Sequence, residues 1–352
     1  MDNITQWFKR QAANPQIVFL AFALIGLALL VSYAGQMFAP VLASIVIAYL
    51  LEGLVKLLVK IKVPRIVSVA IVFIAFLVFL MILIFGLMPL LFNQTKEMVQ
   101  TIPAMLSHGQ TALLALPERY PELFSEIQVN DLIDTIRTEL TQYGQRILTL
   151  SLSSVSSVIT VLIYTVLVPM LVLLFLKDKQ KILNWVSDFL PKDRQLASQV
   201  WGEVDINIAN YIRGKFWEIL IVWAVCFATF IAMDLQWAAL LAVLVGLSVI
   251  IPYVGAAVVT IPVVLVAWFQ WGWGSPLGWL MLAYFIIQAL DGNVLVPYLF
   301  SEFVNIHPIA IIIAILFFGG LWGIWGVFFA IPLATLVRAV MSAWAAQERS
   351  AV

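Results

Sequence analysis

Charge is what this chain has least of. Only 11% of its 352 residues are Asp, Glu, Lys or Arg, where a soluble globular chain carries about 25%. The 19 Lys and Arg are balanced by 19 Asp and Glu, so no cationic surplus exists to neutralise nucleic-acid phosphates. Cysteine occurs once, as Cys226 inside an apolar run, which excludes an intrachain disulfide framework. No metal-ligand spacing accompanies His307. Walker A, dinucleotide-binding, zincin and G-x-S-x-G sequences are all missing. An enzyme is therefore not expected, nor a cofactor, a metal or a nucleic-acid partner. What remains is apolar: 63% of residues are hydrophobic and the mean hydropathy is +1.05. Disorder and a soluble domain are both excluded. Lipid offers an open backbone nothing to bond with, so the expected fold is all-α, a polytopic integral membrane protein.

A helix needs about 20 apolar residues to cross a bilayer. Ile17–Tyr33 is the first candidate, and it lacks the cleavage site of a signal peptide. A break at Gly35 and Pro40 leads to a second, Pro40–Leu51, with an amphipathic continuation through Lys56 and Lys60; Ile66–Leu91 is the third. Residues 1–91 thus read as N-terminal membrane helices. Hydropathy then collapses over 92–150, where acids outnumber bases. Leu132, Ile136, Leu140, Tyr143 and Ile147 recur at helical spacing there. Pro103, Pro117 and Pro121 are expected to cut this insert into short helices. Residues 151–176 form a further membrane helix. The basic stretch 177–215 reads as an amphipathic linker along the membrane surface. Residues 216–345 form a C-terminal membrane core, and 346–352 a tail.

Basic residues in short loops set the orientation. Lys9 and Arg10, then Lys56, Lys60, Lys62 and Arg65, then 177–215, and finally Arg338 and Arg349 are all expected to be cytoplasmic. Both termini would lie inside and the 92–150 insert outside.

The C-terminal core is repeatedly interrupted: at Asp234, at Ile251–Gly255, around Gly272–Pro276, over Asp291–Pro308 and at Gly319-Gly320. Ala238–Ile250 and Pro308–Phe318 are short for spans. Each resumes with a glycine, Gly255 or Gly326, followed by an Ile-Pro pair, Ile261-Pro262 or Ile331-Pro332. Such paired interruptions point to the broken helices of secondary transporters, and their irregular backbone should be enclosed by protein or line a watery cavity. Pro252 and Gly255, with Gly319, Gly320, Gly323 and Gly326, are the candidate hinges. Gly319 and Gly323 also form a GxxxG pair suited to plain helix packing.

Few polar residues sit among the apolar runs, and these are the site candidates. Asp291, followed by Asn293, has no basic neighbour in sequence and would suit a proton, cation or substrate site; the alternative is a helix-end cap. His307 with Pro308 could form a polar mouth or simply cap a helix. Glu203, Asn207, Asn210 and Gly214 share a helical face ahead of Phe216, and Glu218 reads as interfacial, within reach of Arg213 or Lys215. Ser153, Ser156, Ser157, Thr160 and Tyr164 line one side of the fourth span, for a path or for packing. Trp268, Trp271, Trp273 and Trp279 read as an interfacial belt.

Several separated motifs agree with one family. Asn210-Tyr211-Ile212-Arg213-Gly214-Lys215, Ile251-Pro252-Tyr253-Val254-Gly255, Asp291-Gly292-Asn293-Val294-Leu295-Val296-Pro297, His307-Pro308 and Gly319-Gly320…Gly323…Gly326…Pro332 resemble the autoinducer-2 exporter family of permeases. The resemblance implies a multi-pass permease of the bacterial cytoplasmic (inner) membrane with about eight spans. It also implies homo-oligomeric assembly, a pentamer being the expected form. Arg213, Gly214, Pro252, Tyr253, Gly255, Asp291, Asn293, Pro297, His307 and Pro308 carry over as functional positions; where the family often has glutamine, this chain has Lys215. The expected activity is export of a small polar solute, autoinducer-2 among the candidates. Alternatives are sodium(lithium)/proton antiport on the same scaffold, with a monovalent cation as the partner, and a non-transporting membrane scaffold.

Overall fold

The computed structural model describes residues 15–119, isolated positions between 127 and 142, and 155–188, 195–252, 254–300 and 307–350. Among these residues there are helices and turns but no strand. The helices are α1 Pro15–Lys60, α2 Arg65–Ile82, α3 Met88–Arg119, α4 Val155–Lys177, α5 Lys179–Asp188, α6 Gln195–Ala232, α7 Ala238–Ser248, α8 Val254–Trp271, α9 Ser275–Leu290, α10 Val296–Leu299 and α11 Pro308–Ser350. Single π-helical turns, Leu83–Leu87 and Asp291–Leu295, join α2 to α3 and α9 to α10. Among the described residues, six helical stretches are long and apolar enough to cross a membrane. The all-α polytopic expectation is met.

Three boundaries differ from the sequence reading. The break expected at Gly35 and Pro40 is absent, and α1 runs unbroken through Pro40. Proline removes one backbone donor, but neighbouring hydroxyls and helices make it tolerable in a membrane helix. Here the fully buried Ser44 hydroxyl lies 2.6 Å from the Pro40 carbonyl and 3.3 Å from that of Val168 on α4. Pro103 and Pro117 do not divide the insert's start, since α3 is one helix from Met88 to Arg119. The amphipathic pattern from Leu132 to Ile147 lies outside the described residues. From Gln195 onward the supposed surface linker is the first half of α6, continuous with the apolar helix beyond it.

The chain forms two compact units. The first comprises Met1–Phe76, Tyr164–Ile219 and Gly292–Val352. Its core meets at helical spacing: Ala48, Leu51 and Val55 of α1, Val69 and Val72 of α2, and Val172 and Leu176 of α4. Beside that core, Arg65 grips the buried Glu52 carboxylate with two nitrogens, at 3.1 and 3.3 Å. It also donates to the Leu176 carbonyl at 3.1 Å, satisfying a last-turn acceptor that α4 leaves open. Lys179 approaches the same carboxylate at 3.9 Å, and the Tyr49 hydroxyl donates to Asp205 of α6.

In this unit α11 is not a single rod. Gly323 has φ +59° and ψ −136°, and the chain doubles back there. A Cβ on Gly326 would overlap the Phe318 carbonyl, and one on Gly319 would stand 2.8 Å from Val327. Contacts between residues eight positions apart cannot occur along a straight helix, where that interval covers about 12 Å. The sequence placed this break at Gly319-Gly320; the turn itself uses Gly323, and Gly319 and Gly326 supply the close approach on either side.

The second unit comprises Leu77–Ile163 and Leu220–Asp291. Its centre is α7, 11 residues long and about 16 Å by helical rise, too short to cross. Ala238, Ala239, Leu240, Leu241 and Ala242 are all buried, so the start of α7 is enclosed all round, while Leu247 near its end is half exposed. Trp237 precedes it with φ +53° and offers no side-chain cap. The cap comes from α3 instead: Gln94 Oε1 accepts from the Leu240 N–H at 2.8 Å. Gln270 fixes the preceding turn, accepting from the Gln236 N–H and donating to the Asp234 carbonyl. The chain then reverses at Ile251-Pro252 into α8, and a Cβ on Gly255 would overlap the Ser248 carbonyl. Both hairpins are thus closed the same way, by a glycine against a carbonyl seven or eight positions back. They differ in cover. The start of α7 is buried, whereas the first arm of the α11 hairpin leaves Ile309, Ile313, Leu316 and Phe317 exposed on the single chain.

Candidate functional site

In the second unit α9 carries Tyr284 and Gln288, and Asp291 opens the π-helical turn that continues it, at intervals of four and three and hence on one helical face. Tyr284 is fully buried, its hydroxyl 3.2 Å from Thr260 Oγ1 of α8 and its ring stacked on Phe230 of α6 at 6.5 Å. Gln288 lies beside that hydroxyl. One turn from Phe230 on α6, Cys226 is fully buried and within electrostatic reach of Asp291. The faces of α6 and α9 therefore meet along Phe230–Tyr284 and Cys226–Asp291, running antiparallel.

This row is polar where the surrounding helices are not. Asp291 Oδ1 and Gln288 Nε2 are shielded from solvent. Hydroxyls, an amide and one carboxylate are thus gathered inside an apolar helix cluster. Among the described residues no group of three or more His, Cys, Asp and Glu could hold a metal.

The sequence picked out Asp291 from this row and missed Tyr284, Gln288, Thr260 and Cys226 as a group. The spacing of 284, 288 and 291 was the available signal. The other candidates fall elsewhere. Asn293 and Pro297 follow in the π-helical turn and α10, exposed on the chain. His307 is a helix cap: its Nδ1 accepts from the Ile309 N–H at 3.3 Å and its carbonyl from the Ala310 N–H at 2.8 Å. Pro308 opens α11. Pro252 lies in the α7–α8 turn, its carbonyl 2.7 Å from the Val254 N–H; Tyr253 lies outside the described residues. Gly292 and Gly320 have open space around them. The side chains of Ser153–Thr160 also lie outside the described residues. Trp268 and Trp273 pack at 6.1 Å, with Trp273 largely exposed.

A second polar group lies in the first unit, on α6. Asn210 is half-buried there. Gly214 lets the Phe300 ring press on the helix, where a Cβ would stand 2.7 Å from Phe300 Cε1. Tyr211, 1% exposed, packs against Phe300 at 5.8 Å and Phe328 at 5.9 Å. Arg213 lies over Gly53 of α1, its Nε 3.1 Å from where a Cβ would be. Lys215 and Glu218, at 4% and 2% exposure, form a 2.7 Å ion pair. The sequence read Glu218 as interfacial; Lys215 is indeed its partner, but the pair is sealed inside protein.

Apolar helices interrupted by two glycine-closed hairpins, with polar side chains turned inward, define a polytopic membrane protein of the architecture that secondary transporters use. Comparison with known proteins makes the class particular. Residues 17–346 match the model of the AI-2E family transporters, and the chain belongs to that family. It is 43% identical to PerM of Escherichia coli (strain K12), named as a permease, over 98% of each chain. YueF of Bacillus subtilis (strain 168), named as a transport protein, is 27% identical over 87% of this chain and 84% of its own. TqsA of Escherichia coli (strain K12), named as an AI-2 transport protein, is 23% identical over 92% of this chain and 90% of its own.

Proposed function

We propose that this permease exports a small, uncharged polar solute of the autoinducer-2 kind, with the Thr260–Tyr284–Gln288–Asp291 row as its binding surface. The observation that carries the reading is the Gln288 amide, its Nε2 shielded from solvent beside the Tyr284 hydroxyl, on the helical face that it shares with Asp291. These groups offer a polyhydroxylated solute donors and acceptors together, at a depth where lipid would supply neither. The short α7 and its glycine-closed turn provide the broken helix against which such a site opens and closes. The name of TqsA supports the choice of solute.

The test is accumulation of autoinducer-2 in inside-out vesicles with and without the protein. Asp291→Asn should abolish or uncouple uptake while leaving the purified protein folded. Wild-type flux in that variant would refute the role of Asp291. Proton movement on adding sodium or lithium, with no autoinducer-2 uptake, would favour the antiport reading instead.

A further inference from the structure

The Lys215–Glu218 pair calls for its own account. Lys215 lies ten residues into the candidate span Asp205–Ala232, about 15 Å of helix from its start. Both side chains are within 5% of complete burial by protein. A buried ion pair is a poor way to stabilise a fold, because desolvating two charges consumes most of what their attraction returns. Well-packed apolar residues would serve α6 at least as well. The surroundings are those of a cation site. The Lys215 ammonium sits 2.7 Å from Glu218 Oε2 and 5.4 Å from the centroid of Phe300. Tyr211, packed on the same ring, lies within electrostatic reach of Glu218. A carboxylate and an aromatic face are the features that recognise an ammonium. Arg213 is drawn away to Gly53 of α1.

We infer that Glu218, Phe300 and Tyr211 form a site for a monovalent ammonium or alkali cation, which this chain keeps filled with the tethered ammonium of Lys215. The tether removes any requirement for a free cation here. With the side chain cut back, the site accepts one from solution.

Lys215→Ala removes three methylenes and the ammonium, the outline of n-propylammonium. Unfolding midpoints of purified wild type, Lys215→Ala and Lys215→Ala/Glu218→Ala are compared in propylammonium, sodium and choline chlorides at equal ionic strength. Wild type should not distinguish the salts. Lys215→Ala should melt lower in choline and recover on the order of 5 °C in saturating propylammonium or sodium. Larger recovery in propylammonium indicates an ammonium site, and larger recovery in sodium an alkali-cation site. The double variant, with no carboxylate to satisfy, should respond to neither. Equal responses in the single and double variants, or none in the single, would overturn the inference. Should Lys215→Ala not fold, the double variant must, since a buried carboxylate deprived of its ammonium is the expected cause; failure of both is refutation. The readout is binding, so the result does not depend on whether autoinducer-2 is the cargo.

Discussion

Gly255→Ala tests the hairpin directly. The added methyl would overlap the Ser248 carbonyl oxygen, which is itself held by the Ile251 N–H at 3.0 Å. Reaching ordinary contact requires α7 and α8 to part by more than an ångström, against the packing of the buried Val245 and Gly246 just before the turn. Forcing extra volume into a packed interior costs about 1–3 kcal/mol. Ala in place of Gly within a helix returns up to about 1 kcal/mol. The net expectation is a loss of roughly 2 kcal/mol. Gly278→Ala in α9, with open space around it, is the control and should be neutral or slightly stabilising. Cys226 provides the assay: it is the single cysteine and fully buried. A thiol-reactive fluorophore added during heating therefore reports the opening of this unit. Gly255→Ala should react several degrees earlier than wild type. Coincident curves for Gly255→Ala and Gly278→Ala would mean that the two arms are not in contact at Gly255, and the doubled-back geometry would be wrong.

Gln94→Leu strands the Leu240 N–H at the start of α7 and should cost about 1 kcal/mol, read by the same thiol assay. Glu52→Gln weakens the grip on Arg65 and Lys179. Because Arg65 is 45% exposed, the expected cost is no more than about 1 kcal/mol, and it should shrink as salt is raised in thermal melts.

Composition was enough to specify a membrane protein of helices, because no other class tolerates so few charges over such long apolar runs. The interruptions at Asp234, Pro252 and Gly272 were equally plain, since glycine, proline and short polar residues mark them locally. Continuity was harder to see. Pro40 looks like a terminator until Ser44 is known to be buried against Val168, a contact across 124 positions that no local pattern contains. In the glycine-rich stretch 319–326 every glycine is an eligible hinge, and tertiary contacts decide which turns and which only make room. Asp291 stood out as a charge among apolar residues. Tyr284 and Gln288 did not, because neither is costly enough alone to be conspicuous, and their meaning comes from sharing a helical face with that acid. Lys215 and Glu218 were legible as a pair, but their depth was not, since burial at the middle of α6 depends on Phe300 from a distant stretch of chain.

The reversal at Gly323 also changes how the polypeptide is threaded. By length and composition Ile309–Arg338 is one crossing, delivering the residues after it to the opposite compartment. An arm of 15 residues from Pro308 to Trp322 covers about 21 Å, less than a hydrocarbon layer of about 30 Å, and then turns home. A tally of apolar stretches alone reads a single crossing where the backbone in fact reverses at Gly323.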